Sequence, residues 1–383
     1  MFRKMPFILL ALILFLGIAH PWIPLSYKSI IYAVSLSLKS IIIFTLPLLI
    51  FGLLYKTAVQ LSKKASKLIL LLLGAICLSN FISTMISYSV GSLAYCFDLS
   101  MTMPQGNDTL QPAWILILPK WTSNDRAMLA GLFLGVVLSW LRPNWANTLS
   151  RHFDRGVSFI LKGFLLIIPF FLTGFVLKMY HDALMLAMVR NYALIFGLVT
   201  GAVFLYIAMI YWVGSHFRGA AFIKSLKNML PAAIAGFGSM SSAAAMPLTL
   251  IGTEKNSDNP DLARSVIPAT VNIHLIGDCF AIPIFAFAVM KNFGVAEPAF
   301  IAYVLFAVYF VLAKFSVAAV PGGGILVMLP ILETYLGFNA EMLSLITALY
   351  ILFDPVITCA NVMGNGGFAL SFCKFFSPKA IRT

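Results

Sequence analysis

Long apolar runs recur along this chain, and each has the length of a membrane span. Six of them lie near residues 5–24, 36–59, 68–95, 127–145, 157–179 and 192–214. A helix of about 20 apolar residues crosses the hydrocarbon core of a bilayer. The 383 residues are 61% hydrophobic and 10% charged, whereas a soluble domain carries about 25% charged residues. The sequence therefore predicts an all-α membrane protein with many spans and excludes a water-soluble one.

The net charge of +13 is distributed as in a membrane protein rather than a nucleic-acid-binding protein. Basic residues cluster between or after the apolar runs: Lys63, Lys64 and Lys67; Arg142, Arg151 and Arg155; Arg218, Lys224 and Lys227; Lys374, Lys379 and Arg382. Short cytoplasmic loops carry such clusters. With Arg3 and Lys4 at the start, the pattern predicts a protein of the cell inner or plasma membrane. Both termini would lie in the cytoplasm, with lipid contacts and no nucleic-acid partner.

The five cysteines are scattered and mostly lie inside apolar runs, without the paired spacing of a metal site or a disulfide framework. The sequence therefore predicts no cofactor. The first apolar run follows a basic start and is interpreted as a retained membrane helix rather than a cleaved signal peptide.

After residue 218 the apolar runs contain helix-breaking residues. The stretch "MLPAAIAGFGSMSSAAAMPLTLIGTEKN" has a small, hydroxyl-rich middle, and "FVLAKFSVAAVPGGGILVMLPILE" is broken at a Pro-Gly-Gly-Gly cluster. A helix over about 263–290 carrying His274 and Asp278 is expected after the first break. A helix with Asp354 and Asn361, itself broken near Pro355, is expected after the second.

The order of broken segment and acid-bearing helix therefore occurs twice. The breaks at Ser242 and Gly322 are 80 positions apart, and Asp278 and Asp354 are 76 apart. Interrupted apolar segments in corresponding halves indicate a transporter binding site. Free backbone is tolerated at membrane depth only against protein or a water-filled cavity. We therefore expect about eight transmembrane helices plus two re-entrant helical hairpins, with inverted repeats and with tips that bind an anion or a cation.

Four motifs, in this order, resemble the dicarboxylate/amino acid:cation symporters, the glutamate transporter family. "IIIFTLPLLIFGLLYKTAVQLSKKASKLI" is similar to the family's second helix and basic loop. "SMSSAAAMPLT" and "AAVPGGGILVML" resemble its two hairpin tips, and "FDPVITCANVMGNGGFAL" resembles its last helix. The resemblance implies a homotrimer that works by alternating access. Residues 1–217 would form scaffold and trimerisation helices with part of the transport domain. Residues 218–383 would form the transport-domain core, with hairpin 1, broken helix 7, hairpin 2 and broken helix 8.

The resemblance also implies roles for the two hairpin tips. Ser241 and Ser242 would lie at the first tip, whose backbone holds the substrate α-carboxylate. Pro321, Gly322 and Gly324 would form the second tip, which acts as the extracellular gate.

Asp354 is the costliest residue in the last helix, because an acid at the centre of a membrane helix costs roughly 3 kcal/mol or more. By resemblance, Asp354 would hold the substrate ammonium group, and Thr358 would line the pocket. Asn361 would bind the α-carboxylate and, through its backbone, a cation. The alternative is a structural acid that pairs with a lysine or caps a broken helix.

The sequence departs from the family pattern at positions where the family has charged or ligand-binding residues. The family arginine that binds a substrate side-chain carboxylate is Ile357 here, which disfavours acidic substrates. The terminal sodium-binding aspartate is Asn365. In the preceding helix the family's Asn-Met-Asp-Gly-Thr motif becomes "HLIGD", so that His274 replaces the asparagine, Ile276 the sodium-binding acid and Asp278 the threonine near the substrate side chain.

These changes leave the cation-coupling set His274, Asp278, Asn361 and Asn365 open to several interpretations. His274 and Asp278, four residues apart, would share one helix face as a satisfied polar pair or as a proton carrier. Asp278 could instead meet a cationic or hydroxylated substrate side chain. Lys314 either reaches the membrane interface or pairs with an acid.

Two further residues, Ser83 and Thr84, align with a cation-binding pair of the family, and interhelical packing is the competing interpretation.

Together these observations predict a non-enzymatic secondary active symporter. It would move an amino acid other than aspartate or glutamate, or a related small carboxylate, driven by a Na+ or H+ gradient. The alternative is an acidic amino acid or dicarboxylate symporter with altered ion coupling. Two other classes are considered. One is an intramembrane serine hydrolase, with Ser239, Ser241 or Ser242 beside His274 and Asp278, and the other is a channel or a non-transporting membrane scaffold.

Overall fold

The computed structural model describes residues 5–63, 67–96, 109–119, 121–122, 124–182, 184–315, 317 and 322–375. Within these ranges all regular structure is helical. The predicted all-α fold class is therefore confirmed.

The α-helices of the described residues are, in chain order, α1 (Met5–Ala19), α2 (Leu25–Lys63), α3 (Lys67–Ser92), α4 (Asn124–Leu141), α5 (Pro143–His181), α6 (Leu184–Gly214), α7 (Gly219–Ser239), α8 (Ser242–Asn256), α9 (Pro260–Thr270), α10 (Ile276–Asn292), α11 (Phe300–Lys314), α12 (Gly323–Leu336) and α13 (Ala340–Phe375). Short 3₁₀ segments follow α1 and α3, at His20–Trp22 and Leu93–Cys96. The chain divides into two compact units, one of Met1–Ser66 and Leu99–Leu194 and the other of Lys67–Asp98 and Ile195–Thr383.

Several helices are long and apolar enough to cross a membrane. Among the described residues three segments meet both criteria: Leu70–Cys96, Tyr192–Gly214 and Glu341–Phe375. Shorter apolar helices include Leu129–Leu141, Phe300–Lys314 and Gly323–Leu336. A chain with several such helices is a multi-pass membrane protein.

In the first unit, α4 and α5 pack along α2. Small residues allow the close approach, because a Cβ at Gly131 would lie 2.7 Å from the carbonyl oxygen of Phe51, and one at Gly135 would lie 2.9 Å from that of Tyr55. Such small residues at helix contacts are typical of membrane proteins.

The basic cluster of Arg142, Arg151 and Arg155 was expected in a short loop, but α5 begins at Pro143. Proline is well suited to the first turn of a helix, where its missing N–H is not needed. The basic residues Arg151 and Arg155 then lie exposed on that helix. A cluster of positive charge therefore marked a polar helix face rather than an irregular loop.

In the second unit, α10 forms the centre. Every residue from Ile276 to Met290 is buried, as expected of a helix that is apolar around its whole circumference. It packs against α3 and α13, while α7, α8 and α9 also pack against α13. At Gly277 a Cβ would lie 3.0 Å from Asn361 Oδ1 and would collide with the carbonyl oxygen of Ile357. Glycine is therefore what allows α10 and α13 to meet.

Both apolar runs that were expected to be broken are interrupted. Helix α7 ends at Ser239, and Met240 adopts a left-handed conformation with φ 48°. Ser241 then caps α8, because its side chain accepts a hydrogen bond from the Ala244 N–H at 3.3 Å. The second break precedes α12, where Gly322 has φ 70°, a value that glycine adopts without strain.

The helix that the apolar pattern predicts over about 263–290 is divided into two. Helix α9 ends at Thr270, and α10 begins at Ile276. Asn80 of α3 satisfies the backbone at this break, donating to the carbonyl oxygen of Ile273 at 2.7 Å and accepting from the Leu275 N–H at 3.3 Å. This amide stabilises the interruption because buried backbone groups must find partners.

The break expected near Pro355 is also wrong, since α13 runs without interruption from Ala340 to Phe375. Proline removes one backbone hydrogen bond, but membrane helices tolerate this where neighbours compensate. The second acid-bearing helix thus differs from the first, which is split before Asp278.

Candidate functional site

Asp354 lies in the middle of α13 and is 3% exposed. Its Oδ2 accepts the backbone N–H of Gly322 at 2.8 Å, and its Oδ1 accepts the Thr358 hydroxyl at 3.1 Å. Gly322 is the residue that caps the start of α12. The structure therefore brings together three of the residues expected from the sequence, Gly322, Asp354 and Thr358. It also supports the interpretation of Asp354 as a helix cap.

The partners of Asp354 are both neutral. Among the residues that the structure describes, lysine and arginine side chains form ion pairs with other carboxylates, and none of these pairs involves Asp354. A buried carboxylate with neutral partners carries a large desolvation cost. A bound cation or ammonium group would lower that cost.

Asp278, at the start of α10, has a cationic partner. Lys314 Nζ lies 3.0 Å from Asp278 Oδ2, and the two side chains are 0% and 1% exposed. The Tyr350 hydroxyl donates to Asp278 Oδ1 at 2.8 Å. Lys314 Nζ also lies 4.3 Å from the centroid of the Phe310 ring, a cation–π distance. Of the two roles considered for Lys314, pairing with an acid is the one observed.

Gly324, in the first turn of α12, packs directly on this pair. A Cβ there would lie 2.7 Å from Asp278 Oδ2 and would collide with the Tyr350 hydroxyl. Any larger residue at this position would displace the carboxylate or the tyrosine. The second predicted hairpin tip is thus adjacent to Asp278 through Gly324 and to Asp354 through Gly322. Pro321, the remaining predicted gate residue, lies outside the described residues.

Asn361 joins α13 to the start of α10. Its Oδ1 accepts the backbone N–H of Gly277 at 2.8 Å, and the residue is 5% exposed. An N–H in the first turn of a helix has no intrahelical partner, and the amide supplies one. The contact places Asn361 beside the interruption between α9 and α10.

His274 lies in that interruption and is fully buried. Its Nδ1 is 3.1 Å from Asn365 Oδ1, and its Nε2 is 2.9 Å from Ser79 Oγ. With Asn365 Oδ1 as acceptor, Nδ1 carries the hydrogen, and Nε2 of the neutral ring accepts from Ser79. The Phe368 ring covers the imidazole at 4.3 Å between centroids.

His274 and Asp278 do not form the pair that the four-residue spacing suggested. His274 precedes α10 and contacts Ser79 and Asn365, whereas Asp278 is within α10 and contacts Lys314 and Tyr350. The helix-face prediction is wrong because it assumed a continuous helix.

The serines of the first interruption lie at the start of α8. Ser242 is buried at 3% exposure, and the Ser239 hydroxyl donates to the Ala235 carbonyl at 2.7 Å. His274 and Asp278 are engaged elsewhere, as described above. The residue types of a hydrolase triad are present, but their contacts are those of helix caps and separate polar networks.

Ser83 and Thr84 bond back to their own helix. The Ser83 hydroxyl donates to the Ser79 carbonyl at 2.7 Å, and that of Thr84 donates to the Asn80 carbonyl at 2.8 Å. This pattern is common for hydroxyl residues in apolar helices and supports the packing interpretation.

The residues that sequence reasoning missed are Asn80, Ser79 and Tyr350. Asn80 is a polar residue inside the apolar run of α3, which is a signal in itself because such residues bond to other helices. Tyr350 carries no comparable signal, since an aromatic residue in an apolar helix is ordinary packing.

Interrupted helices, a buried acid without a described counterion and buried amides at the interruptions define a secondary transporter rather than a channel or an enzyme. Residues 5–375 match the model of the sodium:dicarboxylate symporter family. The chain therefore belongs to the sodium:dicarboxylate symporter family.

The relatives agree with this class. The chain is 24% identical over 366 residues to a serine/threonine transporter of Acinetobacter baumannii, covering 89% of this chain and 88% of that protein. The corresponding protein of another strain is 24% identical over 286 residues, covering 71% of this chain and 70% of the relative. An excitatory amino acid transporter of Onchocerca volvulus is 30% identical over 141 residues, 37% of this chain, which spans only 28% of that relative.

Family membership confirms the resemblance stated from the sequence motifs. It also confirms the predicted class, a non-enzymatic symporter coupled to a cation.

Proposed function

We propose that the protein is a symporter for small neutral amino acids of the serine and threonine type. A zwitterion would bind beside α13, with its ammonium group on Asp354 and its α-carboxylate on Asn361 and the start of α8. Ser241, Ser242, Gly322 and Thr358 would complete the pocket.

The observation that carries this proposal is the buried carboxylate of Asp354, which has no cationic partner in the part of the chain that the structure describes. Lys314 already neutralises Asp278, so Asp354 is left as the carboxylate with neutral partners. One ammonium group would compensate this charge and would replace the contacts to the Gly322 N–H and the Thr358 hydroxyl. Because Gly322 caps α12, ammonium binding would also be linked to the position of that helix.

The carboxylate end of the substrate is proposed on two donors. Asn361 uses Oδ1 for the Gly277 N–H, which leaves its Nδ2 to donate to a carboxylate. The first turn of α8 offers backbone N–H groups at a helix N-terminus, where anions bind favourably.

A neutral substrate side chain is favoured by Ile357, which is 1% exposed on α13. An isoleucine cannot compensate a substrate side-chain carboxylate, whose burial would then be costly. The two serine/threonine transporters among the relatives support the same choice. A cationic side chain is disfavoured because Lys314 already occupies Asp278.

We further propose the family's membrane architecture for the chain: about eight spans, two re-entrant hairpins formed by α7–α8 and α11–α12, and cytoplasmic termini in a plasma or inner membrane. Residues 1–217 would supply scaffold and trimerisation helices with part of the transport domain, and residues 218–383 the transport-domain core. Light scattering of the detergent-solubilised protein tests the homotrimer directly.

The coupling cation is proposed to bind or act through His274, Asn361 and Asn365, near the interruption before α10. If His274 is a proton carrier, coupling would be to H+. If backbone oxygens at the interruption bind the ion, coupling would be to Na+. Uptake into proteoliposomes under separate Na+ and H+ gradients distinguishes the two.

The test of the substrate is uptake of labelled L-serine, L-threonine, L-glutamate and succinate into the same proteoliposomes. Saturable, stereospecific uptake of L-serine or L-threonine, abolished in Asp354→Asn, is expected. Higher-affinity uptake of L-glutamate or succinate would support the acidic alternative instead. Current without saturable uptake would identify a channel.

A further inference from the structure

Lys314 is a fully buried cation in the last turn of α11. Its ammonium nitrogen lies 3.0 Å from Asp278 Oδ2, and neither side chain is more than 1% exposed. A lysine is rarely buried so completely unless it is paired. It therefore requires an explanation that ordinary apolar packing does not supply.

The groups around the Lys314 ammonium all favour a cation. The carboxylate of Asp278 supplies the charge, and the Phe310 ring face lies 4.3 Å away. The position in the last turn of α11 adds the negative end of a helix dipole, which favours cations. Tyr350 holds the second carboxylate oxygen at 2.8 Å, so both oxygens of Asp278 are engaged.

The second hairpin is shaped around this pair. Gly324 leaves the space that Asp278 and Tyr350 occupy, since a Cβ there would be 2.7 Å from Asp278 Oδ2. Lys314 ends α11 and Gly324 lies in the first turn of α12. The pair therefore connects both helices of the predicted hairpin to the start of α10.

We propose that Lys314 is a tethered cation that neutralises Asp278 and fills a site which Na+ occupies when the ammonium group is absent. A buried carboxylate needs an opposite charge, and a bound ion or an ammonium group can each provide it. Because the ammonium group is covalently attached, the chain requires one free cation fewer at this position. The inference rests on the chain's membership of a cation-coupled family and not on the identity of the substrate.

The proposal predicts that Na+ can replace the ammonium group once it is removed. Lys314→Met keeps an unbranched side chain of similar length but leaves Asp278 without a counterion. A hard cation prefers oxygen ligands such as the Asp278 carboxylate and the Tyr350 hydroxyl. Lys314→Met should therefore show a Na+ dependence larger than that of the unaltered protein.

Thermal unfolding of purified protein in sodium chloride and in choline chloride, at equal ionic strength, measures this without any substrate. For Lys314→Met we expect the Tm to rise by about 3–5 °C more in sodium than in choline, at a sodium concentration roughly ten times the Kd. The difference should be absent in Lys314→Met/Asp278→Asn, which lacks both charges. An equal sodium effect in the unaltered protein and in Lys314→Met would overturn the proposal.

Lys178→Met is the matched control. Lys178 is the partner of Asp182 at 2.6 Å, and the Asp182 side chain is only 2% exposed. This variant also removes one partner of a largely buried pair, so a general effect of losing a lysine would appear here too. A comparable sodium-dependent rise in Lys178→Met would refute the assignment to Asp278.

A folding failure of Lys314→Met would also decide the matter. If the variant is recovered folded when it is prepared in sodium but not in choline, the tethered-cation role is supported. If it misfolds equally in sodium and choline while the double variant folds, Na+ cannot take the place of the ammonium group and the proposal fails. Absence of L-serine uptake by the unaltered protein would refute the proposed substrate and leave these thermal outcomes unaffected.

Discussion

Asp354→Asn separates the two roles that the structure allows for this acid. The substitution removes the negative charge but keeps the shape of the side chain and one oxygen. In the unaltered protein the Gly322 N–H donates to Asp354 Oδ2 at 2.8 Å, and the amide oxygen of asparagine can accept the same hydrogen bond. The Thr358 hydroxyl, which donates to Oδ1 at 3.1 Å, can accept from the new amide instead. The contacts that cap α12 are therefore retained, whereas the partner of a substrate ammonium group is lost.

Asp354→Asn should strongly lower the efficiency of L-serine uptake but should leave the free energy of unfolding nearly unchanged or raise it. Removing one partner of a buried charge pair costs about 3–5 kcal/mol, which corresponds to a loss of roughly 10²- to 10³·⁵-fold in the efficiency of L-serine uptake. The free energy of unfolding of the substrate-free protein should change by less than about 1 kcal/mol or should increase, because an uncompensated buried charge is removed while hydrogen bonds are kept.

The assay compares initial rates of L-serine uptake into proteoliposomes with thermal unfolding of the same preparations. Asp261→Asn is the control, since the Asp261 side chain is 91% exposed and pairs with the exposed Arg264, an interaction worth about 0–1 kcal/mol. Uptake by Asp354→Asn within threefold (about 0.7 kcal/mol) of the unaltered protein would refute the ammonium role. A Tm lowered by more than about 5 °C, with Asp261→Asn unchanged, would show that the charge itself stabilises the fold.

Three further substitutions test neighbouring parts of the site. In Ile357→Arg, L-glutamate should inhibit L-serine uptake, because a buried guanidinium can pair with a side-chain carboxylate. High-affinity glutamate uptake by the unaltered protein, with no increase in the variant, would contradict the placement of Ile357 beside the substrate side chain. His274→Gln should abolish uptake driven by a proton gradient while sparing uptake driven by sodium, measured in the same vesicles; uptake that follows sodium alone and is unchanged in the variant would exclude the proton role. Gly277→Ala should lower the free energy of unfolding by about 1–3 kcal/mol, because its Cβ would lie 3.0 Å from Asn361 Oδ1. Gly74→Ala, where a Cβ meets nothing within 4 Å, should be neutral or stabilising by up to about 1 kcal/mol, and an equal loss in both variants would argue against the close approach.

Features set by local composition could be predicted from the sequence. The apolar runs are helices, and both interruptions occur where small residues, glycine and proline cluster. The resemblance assigns both Asp354 and Gly322 to the substrate site, and in the structure the Gly322 N–H donates to the Asp354 carboxylate. In each case the determining residues lie close together in the sequence or within a recognised motif.

Composition and periodicity do not predict features that depend on a distant partner. The interruption between α9 and α10 lacks a glycine or proline at its centre and is satisfied by Asn80, which lies about 190 residues earlier in the chain. Without that amide, periodicity favours a continuous helix and places His274 and Asp278 on one face. Pro355 misled in the opposite direction, since a proline in a packed helix need not end it.

The net charge of the proposed pocket cannot be derived from the motif positions alone. In the motifs, the loss of an arginine at Ile357 and the gain of an acid at Asp278 together suggest an excess of negative charge that a cationic substrate would balance. Lys314, which belongs to no recognised motif, cancels Asp278 at 3.0 Å. The charge left to be balanced among these described side chains is then that of Asp354 alone. A zwitterion brings a carboxylate together with its ammonium group, so its binding leaves this excess unchanged, and a single monovalent cation bound with it would neutralise the site.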